Sequence, residues 1–325
     1  MIRTRLLKSG IALWAAMCAV PSVHAQAAYP NRPVTLVVQS VPGAITDQMA
    51  RLYGERMARV LGQPVLIENM GGAGGLLAFR RVARAEPDGY TLLVTVNTVL
   101  AQPHLSAKAG YAMKDFSAVG EMGRSSSLLV TSANSPYKSL ADLIEAARKS
   151  PGTVSYGSSG IGTTNHLNVE MLASRARVKF LHVPYKGVAA AVPDVAGGRL
   201  DFVMPTASST TELLNAGMLL ALAISSAERS PRYPDVPTLA ELGYPDSGFE
   251  IWCGVLGPAR LPPDVIKRLE AAMEAARGDK DLVQVLAGAG QHISPVRTAG
   301  QFEAVLKDED VKLQDLIKRA NITID

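Results

Sequence analysis

Short apolar runs rich in β-branched residues alternate with longer amphipathic stretches along most of the chain. Val34 to Val38 reads as a strand, and Asp47 to about Leu61 as a helix with apolar positions at helical spacing. Val65 to Glu68 is a second strand; a helix then runs through Ala85, and Pro87-Asp88-Gly89 ends it. Tyr90 to Val96 is a third strand. The middle repeats the theme, with strands expected at Leu128 to Thr131, Val154 to Gly157, Phe180 to Val183, Leu200 to Met204 and Leu220 to Ile224. Ser139 and Asp142, three residues apart, predict a capped helix start between the first two of these. After the Pro-rich stretch from Ser230 to Pro237 come a strand at Trp252 to Leu256 and a helix opened by Pro262-Pro263. Two further helices are expected near Lys280 to Ala287 and Ala299 to Arg319. Strands alternating with helices predict βαβ units and parallel pairing.

The first residues change the picture. Arg3, Arg5 and Lys8 precede a short apolar run from Ile11 to Val20, Pro21 breaks it, and Val23-His24-Ala25 offers small residues at −3 and −1. That run is too short to span a bilayer, so residues 1–25 read as a cleaved secretory signal and the mature chain starts near Gln26. A lipid anchor at Cys18 is the alternative, and Met17 suits it poorly. Of the 33 Lys and Arg, three lie in this leader, which leaves 30 against 29 Asp and Glu. A near-neutral chain without a basic stripe gives no support for nucleic-acid binding. About 300 mature residues suggest two domains, and Cys253 alone cannot form an internal disulfide.

Three loops share one design: each follows a strand, combines Gly with Ser, Thr or Lys, and opens a helix. They are Gly43-Ala44-Ile45-Thr46-Asp47, Ser158-Ser159-Gly160-Ile161-Gly162-Thr163-Thr164, and Tyr185-Lys186-Gly187. Glycine permits close approach of backbone to a ligand, and the first helical turn carries unpaired N–H groups that favour anions. Ligands of open α/β sheets sit at the carboxyl ends of strands, where these loops lie. Any one of them is equally well an ordinary turn; the three together point to an anion site. His166, in the first turn of a candidate binding helix, either donates to a ligand or packs and caps. Lys186 is either a counter-charge or a solvated lysine.

Signs of chemistry are thin. Ser135-Pro136-Tyr137-Lys138 matches the S-x-x-K nucleophile pattern without its K-T-G or S-D-N partners. No histidine is spaced with another ligand in a metal motif, and the Gly71 to Gly75 run does not fit a dinucleotide fingerprint. No catalytic residue, cofactor or metal is therefore assigned.

Taken in order, several segments resemble the Bug family, the extracytoplasmic solute receptors of tripartite tricarboxylate transporters. They are Tyr29-Pro30-Asn31-Arg32-Pro33-Val34, Thr46-Asp47-Gln48-Met49-Ala50-Arg51, Asn69 with the Gly71 to Gly75 run, and Pro87-Asp88-Gly89-Tyr90-Thr91-Leu92. Gly160-Ile161-Gly162-Thr163-Thr164-Asn165-His166-Leu167, His182-Val183-Pro184-Tyr185-Lys186-Gly187 and Ser230-Pro231 through Asp235-Val236-Pro237-Thr238 complete the set. The resemblance covers nearly the whole mature chain. It implies a periplasmic-binding-protein-like α/β fold: two α/β domains, a cleft, and two crossovers near Gly123 to Thr131 and Ser225 to Ser230. Residues 26–125 with 230–325 would form the first domain and 126–229 the second.

The resemblance also implies a small organic carboxylate as ligand and no chemistry performed on it. Gly43, Ala44, Ile45, Thr46 and Asp47 match the family's first carboxylate loop, with Asp47 expected to cap its helix. Gly162, Thr163 and Thr164 match the second-domain loop, and Asn97 and Thr98 the cleft end of the third strand. Ser158, His166, Lys186, Gly187 and Thr206 complete the candidate set. The sequence departs from the family at Ala44, at Val188, and at Pro205-Thr206, where many relatives carry an acid; its absence argues against an amino-acid ligand. The expected partners are the membrane components of a tripartite transporter or, alternatively, a sensor protein. The expected state is a periplasmic monomer. A periplasmic hydrolase using Ser135 and Lys138 is the remaining alternative.

Overall fold

The computed structural model describes residues 29–288 and 290–324, so the proposed signal peptide lies outside the described residues. The elements run β1 (Val34–Val38), α1 (Ile45–Leu61), β2 (Val65–Asn69), α2 (Leu76–Ala83), β3 (Thr91–Val96), α3 (Thr98–Leu105) and β4 (Phe116–Ser125). They continue with β5 (Leu128–Ser132), α4 (Leu140–Lys149), β6 (Ser155–Ser158), α5 (Thr164–Ala176), β7 (Leu181–Pro184), α6 (Val188–Ala196) and β8 (Phe202–Val203). The last are α7 (Thr211–Asn215), β9 (Leu219–Ile224), β10 (Ile251–Pro258), α8 (Pro263–Arg277), α9 (Lys280–Gly288), β11 (His292–Ile293) and α10 (Ala299–Ala320).

Among the described residues the strands form two sheets, ordered β11-β4-β10-β3-β1-β2 and β7-β6-β8-β5-β9. Strand β1 alternates its two faces: Val34, Leu36 and Val38 pack with Met49, Tyr53 and Met57 of α1 and Leu269 and Met273 of α8. Val37 points the other way, into a core with Phe79, Leu100, Trp252 and Phe302. This period-two pattern buries both faces, as βαβ layering requires. The second sheet is likewise covered on both sides, by α4 and α5 on one and α6 on the other.

Pairing is parallel for β1 with β2 and β3 and for β6 with β7 and β8, as expected. It is antiparallel where the chain passes between sheets: β10 runs against β3 and β4, and β5 against β8 and β9. The expectation of parallel pairing is corrected at those four pairings and at β11, which also runs against β4. Strands β4 and β10 are neighbours in one sheet, and their continuations β5 and β9 are neighbours in the other. Ser125 pairs with Ile251 and Leu128 with Ile224, and between them the Ser225 N–H donates to the Ser127 carbonyl at 2.9 Å. The first crossing therefore lies at Ser126–Ser127, with residue 225 beside it.

The return to the first sheet comes later than residue 230. Tyr233 and Val236 pack on one face of the second sheet, and Leu239 and Tyr244 on the other. Only near Phe249 does the chain rejoin the first sheet's core. Strand β4 carries a fully buried Glu121, whose carboxylate accepts two hydrogen bonds from Arg124, at 2.6 and 3.0 Å. Replacing Arg124 with Met leaves that carboxylate buried without its partner. Urea denaturation is expected to show a loss of about 3–5 kcal/mol.

Candidate functional site

The first loop is shaped by Asp47. Its side chain is 4% exposed and accepts hydrogen bonds from the Gly43 N–H at 2.8 Å and from Asn69 Nδ2 at 3.0 Å. Arg51, one turn on, closes an ion pair with it at 3.0 Å. Burial alone would raise the Asp47 pKa, but the hydrogen bonds from Arg51, Gly43 and Asn69 outweigh it and hold the carboxyl below its ordinary range. Asp47 thus fixes the loop from inside, with Gly43 in the left-handed region at φ +83°. Ala44 occupies the N-cap position of α1, and no side chain caps that helix. Thr46 is buried and turns its hydroxyl to Ser40 Oγ at 2.5 Å.

Beside this loop lies an uncharged polar bed. Gln39 Oε1 accepts from Thr95 Oγ1 at 2.5 Å, and Gln39 Nε2 donates to Thr98 Oγ1 at 3.2 Å. Gln39 and Ser40 carry no motif and were not among the expected site residues; their position directly after β1 was the available signal.

The second loop is held by side chains of its own helix. Asn165 Oδ1 accepts from the Ser159 N–H and from Thr163 Oγ1, and Asn165 Nδ2 donates to Ser159 Oγ at 3.0 Å. Ser159 Oγ also accepts from the Val188 N–H at 3.1 Å, which ties the second loop to the third at Gly187. His166 Nδ1 accepts from the Gly162 N–H at 3.2 Å. Burial, followed by the neighbouring His182 ring, pushes the His166 pKa down to about 3. A neutral imidazole that accepts a backbone N–H and is 4% exposed is engaged in packing and capping. Ser158 is fully buried and bonds His182 Nε2 at 2.6 Å. As at α1, no side chain caps α5, whose N-cap is Thr163 and whose first residue is Thr164.

The remaining candidates divide. Asn97 is buried and its amide is engaged: Nδ2 donates to Glu309 Oε2 at 2.7 Å and to the Glu250 carbonyl at 3.3 Å, and Oδ1 accepts from the Trp252 N–H at 3.2 Å. Its side chain braces α10 against β10, a use other than the ligand contact expected of Asn97. Thr206 bonds Ser209 Oγ at 2.7 Å and bridges to Ser127 at the first crossing. Lys186 is exposed, and no ion pair involves it among the described residues. Lys138 donates to the Ala133 carbonyl at 2.7 Å and Ser135 Oγ accepts from the Tyr137 N–H at 3.1 Å, so both serve a local turn. Among the described residues no group of three or more His, Cys, Asp or Glu could hold a metal ion. No helix there is long and apolar enough to cross a membrane.

Helix α3 joins the two sides. A Cβ on Gly74 would stand 2.7 Å from Gln102 Nε2, and one on Gly162 would stand 2.2 Å from Leu105 Cδ1. The Gly71 to Gly75 run, itself against Val41 of the first loop, and the second loop therefore both rest on one turn of α3. Two uncapped helix starts and their glycine loops are thus gathered from both sheets, an arrangement suited to holding an anion by backbone N–H groups.

The Asn97 network has a titration signature. Burial raises the Glu309 pKa from 4.5 to about 7 despite hydrogen bonds from Trp252 and Asn97. The folded chain keeps this proton between those two values while the unfolded chain has lost it. The group's contribution to stability is therefore complete below pH 4.5 and lost as pH rises through 7. Glu309→Gln is expected to flatten that dependence. Urea denaturation at pH 4.5 and 8 should show the wild type losing about 3 kcal/mol more than the variant.

Comparison with known proteins follows the same lines. The family model described as "Tripartite tricarboxylate transporter family receptor" matches residues 49–322. The solved periplasmic binding protein BugD is 31% identical, with 91% of this chain and 99% of that one covered and a TM-score of 0.75. MatC from Rhodopseudomonas palustris, solved with bound malate, is 30% identical over 89% of this chain and 100% of its own, with a TM-score of 0.76. A second R. palustris protein, solved with adipate, is 31% identical over 91% and 99%, with a TM-score of 0.77.

Proposed function

The chain belongs to the family of tripartite tricarboxylate transporter receptors, and from that premise we propose that it captures a small organic carboxylate between its two glycine loops. The family is one of solute-binding receptors, so the expected outcome is stoichiometric binding and release of an unchanged ligand. The observation that carries the carboxylate reading is the pairing of two uncapped helix starts, α1 and α5, across α3. Backbone N–H groups satisfy carboxylate oxygens without a second formal charge, and the helix dipoles add to the attraction. The malate and adipate held by the two R. palustris relatives support the same ligand class.

In this reading the protein is exported through residues 1–25 and works in the periplasm as a monomer. The two sheets form separate bodies that close on the ligand by flexing at Ser126–Ser127 and near Phe249, where the chain crosses. The loaded form then docks on the membrane components of a tripartite transporter. The ligand contacts we assign are the first-turn backbone of Ile45, Thr46 and Thr164, with Gly43 and Ala44 allowing approach. Thr98 and Lys186 stand at the rim.

A thermal-shift screen of the ligand-stripped mature chain tests this. A carboxylate at about 100 times its Kd should stabilise by roughly 2.7 kcal/mol, and the matching neutral amides should not. Stabilisation by sugars or amines alone would refute the anion site. Lys186→Gln is expected to weaken carboxylate binding by about fivefold to tenfold with no change in the free protein's melting temperature, and to reduce its salt dependence. Isothermal titration at two ionic strengths reads both effects.

A further inference from the structure

Large apolar side chains are exposed at the loops that would meet the ligand. Val41 is 64% and Ile45 36% exposed on the first loop, Leu77 49% at the start of α2, and Ile161 46% at the tip of the second loop. Single exposed apolar residues are ordinary, and several others lie scattered over helix flanks and sheet edges. These four belong to one neighbourhood. Val41 touches the position of a Gly71 side chain, and Leu77 lies 3.7 Å from that of Gly72. Ile161 precedes the glycine seated on Leu105, one turn along α3 from Gln102.

Gln102 is the second observation. It is 6% exposed, and its Oε1 is buried with no hydrogen-bond partner among the described residues. Its Nε2 is directed at the Gly72 to Gly75 turn, 2.7 Å from where a side chain on Gly74 would begin. Among the described residues no hydrogen bond explains a carboxamide at this place. Leu or Met would fill the space with less desolvation cost.

We infer that the ligand is a carboxylate with an apolar body, an alkyl or aryl acid, gripped by Val41 and Ile45 on one side and Ile161 on the other, with Gln102 meeting a second polar group. The inference rests on the carboxylate reading above and narrows it. An apolar body gains from burial against these side chains. Hydroxyl groups along that body would lose water against Val41, Ile45 and Ile161, and Gln102 is placed to answer one of them.

Calorimetric titration of the mature chain with succinate, adipate and suberate, with malate and tartrate, and with adipamide tests this. Affinity is expected to rise about threefold to fourfold per added methylene, and each added hydroxyl on succinate to weaken binding by roughly tenfold. Equal affinity along the methylene series, or tartrate binding more tightly than succinate, overturns the apolar-body assignment. Adipamide binding as tightly as adipate overturns the carboxylate reading instead. Ile161→Ser and Ile45→Ser, both at exposed positions, should flatten the methylene dependence; an unchanged slope counts against them. Gln102→Met should raise the melting temperature of the free protein and weaken adipate binding by about tenfold. A lowered melting temperature with unchanged binding would make Gln102 a structural residue and remove it from the site.

Discussion

A methyl group has no room between Gly162 and Leu105, and the arrangement of the site depends on that close approach. A Cβ at Gly162 would sit 2.2 Å from Leu105 Cδ1, and Gly162 has a left-handed φ of +78°. Glycine meets both demands at once. The contact seats the second sheet's loop on α3, a helix that springs from the first sheet. Leu167 and Met171 of α5 then pack into the first sheet's core beside Phe249 and Trp252. Asn168 fixes the orientation, exchanging hydrogen bonds with the Phe249 backbone at 3.0 and 3.1 Å. The start of α5 is thereby seated against α3 and the first sheet's core.

The loops themselves are rigid for reasons internal to each half. Asp47, Asn69 and Arg51 hold the first from behind, and Asn165, Ser159 and His166 hold the second. Each uses side-chain groups to fix backbone that would otherwise be free, and each leaves its helix start without a side-chain cap. Preorganised N–H groups cost little ordering when an anion arrives. Helices α5 and α10 supply the seat between the two halves.

Much of the fold was legible because apolar periodicity and turn residues mark it. The strands β1, β3 and β6 fall within a residue or two of where the pattern put them, and the Ser139–Asp142 capping box is present. Strand β4 was not legible. Gly120, Glu121, Gly123 and Arg124 interrupt its apolar run, and only the internal Glu121–Arg124 pair lets it be buried. Helix α3 carries Pro103 and no apolar stripe, so nothing in its composition signals a helix. The glycine loops were legible as loops, and the direction of their side chains was not. Asn97 directly follows β3 and turns its amide to Glu309. Gln102, with no motif around it, is visible only once α3 is seen beneath both loops.

The most direct test of the account is a backbone amide NMR titration of the mature chain with adipate. The account predicts that the largest shifts fall on Ile45 and Thr46 of the first loop and on Thr164 and Asn165 of the second, with saturation at one ligand per chain. Shifts centred instead on the basic hollow lined by Arg175, Lys312 and Arg319, with the two glycine loops unmoved, would contradict it.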